Sequence, residues 1–163
     1  METGIILSIT VGILSVLVVT LITWQVYTLI DIRKIRKDVN RRSETNRLES
    51  ERNLATIFMS MSDFYYSRLS GKDQPEQEKM YKYIYNRASC ILHASRIKDF
   101  ETCRVVAKVL IEAIHPENIS MSESDKKSLF YLLSSVEHAR SIEGFSELLV
   151  CLSMIKVRQE KKT

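Results

Sequence analysis

The chain has 163 residues, a net charge of +4, and only four glycines and two prolines, a shortage that favours an all-α fold over all-β and nucleotide-binding folds. Its charge is uneven: residues 31–52 carry eight basic and five acidic side chains, whereas residues 53–155 carry twelve and thirteen. A folded region this close to neutral is atypical of nucleic-acid-binding domains, so we expect no nucleic acid partner.

The first predicted element is a transmembrane helix within residues 1–30. Residues 5–30 hold no charged side chain, and sixteen of these 26 residues are Ile, Leu or Val. Such a stretch is long enough to cross the hydrocarbon core and apolar enough to insert. The N-terminus lacks the basic region of a signal peptide, and no small-residue cleavage site follows the stretch. The pattern therefore predicts an uncleaved single-pass anchor.

Basic residues just after this helix predict its orientation. Only Glu2 precedes the apolar stretch, and six basic residues follow it: Arg33, Lys34, Arg36, Lys37, Arg41 and Arg42. Because positive flanks stay on the cytoplasmic side, we expect the N-terminus outside and the rest in the cytoplasm, at a plasma or inner membrane. The same six side chains are candidates for contact with lipid headgroups.

Small residues recur every four positions near the start of the apolar helix, at Gly4, Ser8 and Gly12. Residues at this spacing share one helix face and let two membrane helices approach closely. The pattern indicates a self-association face, and ordinary glycine and serine content of a membrane helix is the alternative.

Residues 31–53 are predicted to form a basic helical stalk. Ile32, Ile35 and Val39 give a short apolar stripe at helical spacing, which lapses at Arg42 and Asn46. The heptad pattern lasts for less than two repeats, so the stripe does not support a strict coiled coil.

Residues 54–158 predict a soluble bundle of about five helices joined as antiparallel hairpins, followed by a basic tail at residues 159–163. Its breaks fall at residues 70–75, at the turn of Lys98 and Asp99, at residues 115–120 and at Gly144. Ser122 followed by Asp125 resembles a capping box, and the helix that it opens is predicted to continue to Ala139. The bundle is either simple or built from hairpin repeats.

A faint repeat supports the hairpin arrangement. Residues 93–100 align with residues 138–145 at an offset of 45, with His, Ala, Ile and Phe in common, which indicates two hairpins with similar tight turns. Residues 99–116 resemble the second helix of a tetratricopeptide-type hairpin, through Phe100, Cys103, Ala107, Leu110 and Pro116. The Trp and Gly signature of that family's first helix is absent, and the period is longer. The resemblance implies only a helical-hairpin architecture.

Residues that could carry chemistry do not form a recognisable motif. Cys90, Cys103 and Cys151 share no paired spacing and lie in apolar helical patterns, which predicts reduced, buried thiols, with a Cys90–Cys103 bridge as the alternative. His93 and His138 occupy equivalent repeat positions, where packing explains them better than a metal site does. We expect no enzyme activity, cofactor or metal.

The sequence thus predicts a membrane-anchored helical interaction module, an adaptor or scaffold subunit that binds lipid through its anchor and a protein partner through its hairpins. A homo-oligomeric membrane assembly or pore-associated subunit is the first alternative. A membrane-attached enzyme with an unrecognised site is the second.

Overall fold

The computed structural model describes residues 2–69 and 77–158, and side chains from residue 11 onward. The predicted loop at residues 70–75 and the basic tail at 159–163 lie outside these ranges. The chain divides into two units, Met1–Asn46 and Arg47–Thr163. The described elements are, in order, α1 (Glu2–Leu69), α2 (Gln77–Arg96), α3 (Phe100–Ala113), β1 (Ser120–Met121), α4 (Glu123–Ser134), a 3₁₀ turn (Ala139–Ser141), α5 (Phe145–Ser153) and β2 (Lys156–Val157).

The all-α class and the long apolar N-terminal helix are confirmed. In the first unit, the side chains described from residue 11 onward are all exposed. The hydroxyls of Ser15, Thr20 and Thr23 donate to the carbonyl four residues earlier at 2.8 Å, which satisfies them within the helix. Among the described residues, α1 is the one helix apolar and long enough to cross a membrane, and none of its most apolar window is buried. It is therefore a candidate membrane span.

In the second unit, the end of α1 is followed by an antiparallel hairpin of α2 and α3. Lys98 adopts the left-handed conformation, with φ of 59°, at the tight turn that the sequence predicted. Asp99 caps α3, because its carboxylate accepts hydrogen bonds from the backbone N of Thr102 at 3.1 Å and from the Thr102 hydroxyl at 2.7 Å. Cys90 and Cys103 are buried between the hairpin helices, and all three cysteines are free thiols rather than a bridge.

The second hairpin, α4 and α5, differs from the prediction in one place. Ser122 caps α4 as predicted, and its hydroxyl accepts a hydrogen bond from the backbone N of Asp125 at 3.0 Å. The helix, however, ends at Ser134 and not at Ala139. The buried side chain of Val136 and a hydrogen bond from the backbone N of Glu137 to Ser95 Oγ, at 3.2 Å, turn the chain away from the helix axis.

Burial follows the 45-residue offset closely, although the turns differ. The pairs of positions buried in both hairpins are Ile84 and Leu129, Ala88 and Leu133, Ile91 and Val136, Cys103 and Leu148, Ala107 and Leu152, and Leu110 and Ile155. Both second helices also begin at the matched phenylalanines. The connection differs, since a 3₁₀ turn and Gly144, with φ of 81°, replace the tight turn of the first hairpin.

The two hairpins stack so that α2 lies beside α4 and α3 lies beside α5. At the start of α2, Gln77 Oε1 accepts a hydrogen bond from the backbone N of Ser120, just before α4, at 2.8 Å. At its end, Ser95 contacts Glu137, just after α4. Contacts at matching ends show that α2 and α4 run parallel. Strands β1 and β2 form a two-stranded parallel pair beside them.

The end of α1 packs antiparallel to α2 through side chains. Glu51 contacts His93 at 2.5 Å, Asp63 contacts Arg87 at 2.5 Å, and the ring of Tyr66 lies 5.3 Å from that of Tyr83. Because the residue numbers increase along α1 while those of the contacting residues on α2 decrease, the two helices run in opposite directions. This packing leaves the other side of α2 facing α3 and α4.

Candidate interaction surface

A groove of about 650 Å³ runs between the parallel helices α2 and α4, and we call it the α2–α4 groove. It is open to solvent, and the chain's own described side chains do not fill it. Its lining residues are Tyr85, Leu92 and Arg96 from α2, and Lys127, Ser128, Tyr131, Leu132 and Ser135 around α4. Helix α4 presents Leu129 and Leu133 to the core, so residues two positions further on, such as Tyr131, face outward.

Aromatic and aliphatic side chains form the apolar part of the groove. Tyr131 is 78 % exposed, the highest value among the large hydrophobic side chains that the structure shows exposed. Leu92, Leu132 and Tyr85 are partly buried against the core. Tyr85 is steadied by Tyr81, whose ring centroid lies 5.7 Å away. Exposed aromatics of this kind are enriched where proteins bind one another.

Two cations lie in the groove, and each also contacts a carboxylate outside its lining. Lys127 pairs with Glu123 at 2.7 Å, with side chains 76 % and 70 % exposed. An ion pair so open to water contributes little and exchanges readily for another partner. Arg96 Nη1 contacts Glu51 Oε1 at 3.1 Å, and its side chain is 33 % exposed. The remaining guanidinium donors of Arg96 are not engaged by this contact.

Glu51 holds Arg96 in place through a small network with His93. The two carboxylate oxygens of Glu51 contact His93 Nδ1 and Arg96 Nη1, and the ring of His93 stacks on Phe58 at 5.3 Å. Burial acts to raise the pKa of Glu51, but the His93 hydrogen bond and the Arg96 charge outweigh it, so the net pKa is lowered. An ionised Glu51 therefore accepts a hydrogen bond from Nδ1 of His93.

Every polar side chain that lines the α2–α4 groove can donate a hydrogen bond. The donors are a guanidinium, an ammonium, two phenols and two serine hydroxyls, of which Ser135 already donates to the carbonyl of Tyr131 at 3.1 Å. No carboxylate is among the described lining residues. The groove is thus suited chemically to a ligand that is rich in acceptors and carries apolar groups.

A second groove, of about 740 Å³, lies between α3 and α5 and has a different character. Val105 and Val109 lie in it, but its charged lining mixes Arg104 and Lys108 with Glu112, Glu143 and Glu147. Arg104 contacts Glu101 at 2.6 Å and Glu143 at 3.7 Å, and Glu143 lines the same groove. This groove offers no single preference of charge.

The structure does not bring the sequence-predicted site residues to either groove. Gly4 and Ser8 lie in α1 where side chains are not described, and a Cβ added at Gly12 would meet nothing within 4 Å. Their self-association role stays a prediction. The six basic residues predicted to contact lipid lie exposed on α1, in the first unit: Arg33, Lys34, Arg36, Lys37, Arg41 and Arg42.

The two histidines of the repeat have unlike surroundings. His93 lies inside α2, whereas His138 precedes the 3₁₀ turn with φ of 54° and contacts Phe100 edge-on at 5.9 Å. In the described part of the chain, no three His, Cys, Asp or Glu side chains converge as a metal site would require. The groove residues Arg96, Lys127 and Tyr131 were not singled out from the sequence. The groove that they line forms only when α2 packs beside α4, and the sequence does not indicate that packing.

Comparisons with known proteins add no assignment, because no family model, curated protein or solved structure matches the chain.

Proposed function

We propose that the chain is a single-pass, membrane-anchored interaction module, in which the apolar part of α1 anchors it and the helical hairpins bind a protein partner. The observation that carries the proposal is the open α2–α4 groove, with Tyr131 exposed between Arg96 and Lys127. A partner that covered Tyr131 would remove a large apolar surface from water and so gain binding free energy.

The anchor and its direction belong to the same proposal. The exposed apolar helix supports an anchor, and the six basic residues from Arg33 to Arg42 support a cytoplasmic location for the second unit. The stacked hairpins, with their 45-residue repeat of buried positions, support an architecture like that of tetratricopeptide-type hairpins. Such stacked helices provide extended grooves for partners.

Site-specific photocrosslinking in native membranes tests this proposal. A photoreactive amino acid replaces Tyr131 in the full chain, and the matched control replaces Ser146, which is exposed on α5 outside both grooves. We expect one adduct of discrete mass from position 131 and none from position 146. Equal labelling at both positions, or no adduct at 131, would contradict an interaction surface at the α2–α4 groove.

A further inference from the structure

We propose that the α2–α4 groove binds an acidic peptide segment of its protein partner, one with two carboxylates flanking apolar side chains. This inference rests on the proposed function and adds the chemical class of the partner. It starts from charge complementarity, since both charged side chains that line the groove, Arg96 and Lys127, are basic and none of its described lining residues is acidic.

The positions of the two cations set the spacing of the carboxylates. Because α2 and α4 run parallel, Lys127 near the start of α4 is level with the middle of α2, and Arg96 ends α2. The contacts of Gln77 with Ser120 and of Ser95 with Glu137 make Lys127 level with Tyr85. Arg96 lies eleven residues after Tyr85, so the Cα atoms of the two cations are separated by roughly 16 Å along the groove. An extended peptide covers this length with about five residues.

The apolar lining between the cations gives the middle of the peptide its chemistry. Leu92, Leu132 and the ring of Tyr131 lie between the two charged ends, and the ring of Tyr85 lies at the Lys127 end. Aliphatic side chains between the carboxylates would cover these surfaces, while the carboxylates accept from Lys127 and Arg96. The Glu123 pairing of Lys127 is open to water, so a carboxylate on the peptide can replace it at small cost.

The same observations favour a peptide over a nucleic acid. Residues 53–155 carry nearly equal numbers of basic and acidic side chains, and the groove holds two cations and not a basic stripe. Nucleic acid affinity depends on neutralising many phosphates, which two cations do not achieve. A peptide with two carboxylates needs only these two cations for charge pairing.

Fluorescence anisotropy with the full chain in nanodiscs of phosphatidylcholine tests the inference. The probe is a fluorescein-labelled hexapeptide with terminal glutamates, two central leucines and serines between them. Two counterparts carry lysine or glutamine in place of glutamate. We expect the glutamate peptide to bind most tightly, and its affinity to fall at high salt because the attraction is screened.

Charge reversal at one groove locates the binding. The variant Lys127→Glu should weaken the glutamate peptide by about 10-fold or more at low salt, since it turns an attraction into a repulsion. The matched variant Lys108→Glu makes the same change on the exposed part of the α3–α5 groove and should leave the affinity unchanged. Circular dichroism checks that both variants keep the wild-type helix content.

Three results would overturn the inference: a glutamine or lysine peptide that binds as tightly as the glutamate peptide, equal weakening by both variants, or an oligothymidylate that displaces the glutamate peptide and binds tighter. If any of these occurs while photocrosslinking at position 131 still gives its adduct, the acidic partner is rejected and the proposed function stands. If the adduct is also absent, both are rejected.

Discussion

The hydroxyl of Ser122 accepts a hydrogen bond from the backbone N of Asp125 and satisfies one of the donors that a helix start leaves open. Ser122→Ala should therefore lower the free energy of unfolding by about 1 kcal/mol. Ser124→Ala removes the same hydroxyl from an exposed position in the first turn of α4 and should have little effect. Urea unfolding in mild detergent, followed by circular dichroism, compares the two. Equal losses would show that Ser122 is not acting as the cap.

At this scale, the sequence predicted what depends on near neighbours. Ser122 and Asp125 are three residues apart, so their pairing follows from local spacing. Glu51 and His93 lie 42 residues apart, and neither residue's surroundings in the sequence indicate that they touch. The same limit applies to Arg96 and Lys127, because their shared groove exists only once α2 lies beside α4.

The packing of α1 against α2 includes the Glu51 carboxylate, which is 14 % exposed and contacts both His93 and Arg96. Glu51→Gln should lower the free energy of unfolding by about 1–2 kcal/mol at pH 7, because it removes a charge-assisted contact. Folding lowers the pKa of Glu51, so the ionised form favours the folded state. This contribution is complete above the ordinary pKa of 4.5 and is lost as pH falls through the lower folded value.

Urea unfolding at pH 7 and pH 3 measures this difference between the wild-type chain and Glu51→Gln. We expect a clear gap in stability at pH 7 and a much smaller one at pH 3. Glu49→Gln makes the same change on an exposed position of α1 and serves as the control, with no gap at either pH. A gap of equal size at both pH values would mean that the charge of Glu51 is not what stabilises the contact.

Helix pairing explains what the sequence predicted at the level of elements and what it missed. The 45-residue offset indicated two similar hairpins, and the aligned apolar pairs Ile84 with Leu129 and Leu110 with Ile155 are both buried. The end of α4 at Ser134 was missed, because residues 134–139 contain no glycine or proline to break a helix. Three residues after the end, the backbone N of Glu137 donates to Ser95 on another helix, and periodicity carries no information on such contacts.

On the scale of the whole molecule, the proposed anchor makes a prediction about where the chain resides and how it is oriented. An uncleaved span of residues 5–30 should keep the chain in membranes after an alkaline carbonate wash, with an intact mass that includes those residues. A cleaved signal sequence would give a shorter chain. A chain lacking residues 5–30 should move to the soluble fraction while keeping the helix signal of its second unit.

Orientation is tested separately by trypsin on sealed vesicles. The six basic residues from Arg33 to Arg42 should hold the second unit on the cytoplasmic side, so trypsin should digest it in inside-out vesicles and spare it in right-side-out ones. Replacing all six by glutamine removes the charge bias between the two flanks, so a mixed orientation should follow, with digestion in both kinds of vesicle. Glutamine substitution of Lys79, Lys108 and Lys127 also removes positive charge, but far from the span in the sequence, and should leave the orientation unchanged. Digestion of the wild-type chain only in right-side-out vesicles would reverse the proposed orientation and place the α2–α4 groove, with any partner that it binds, outside the cytoplasm.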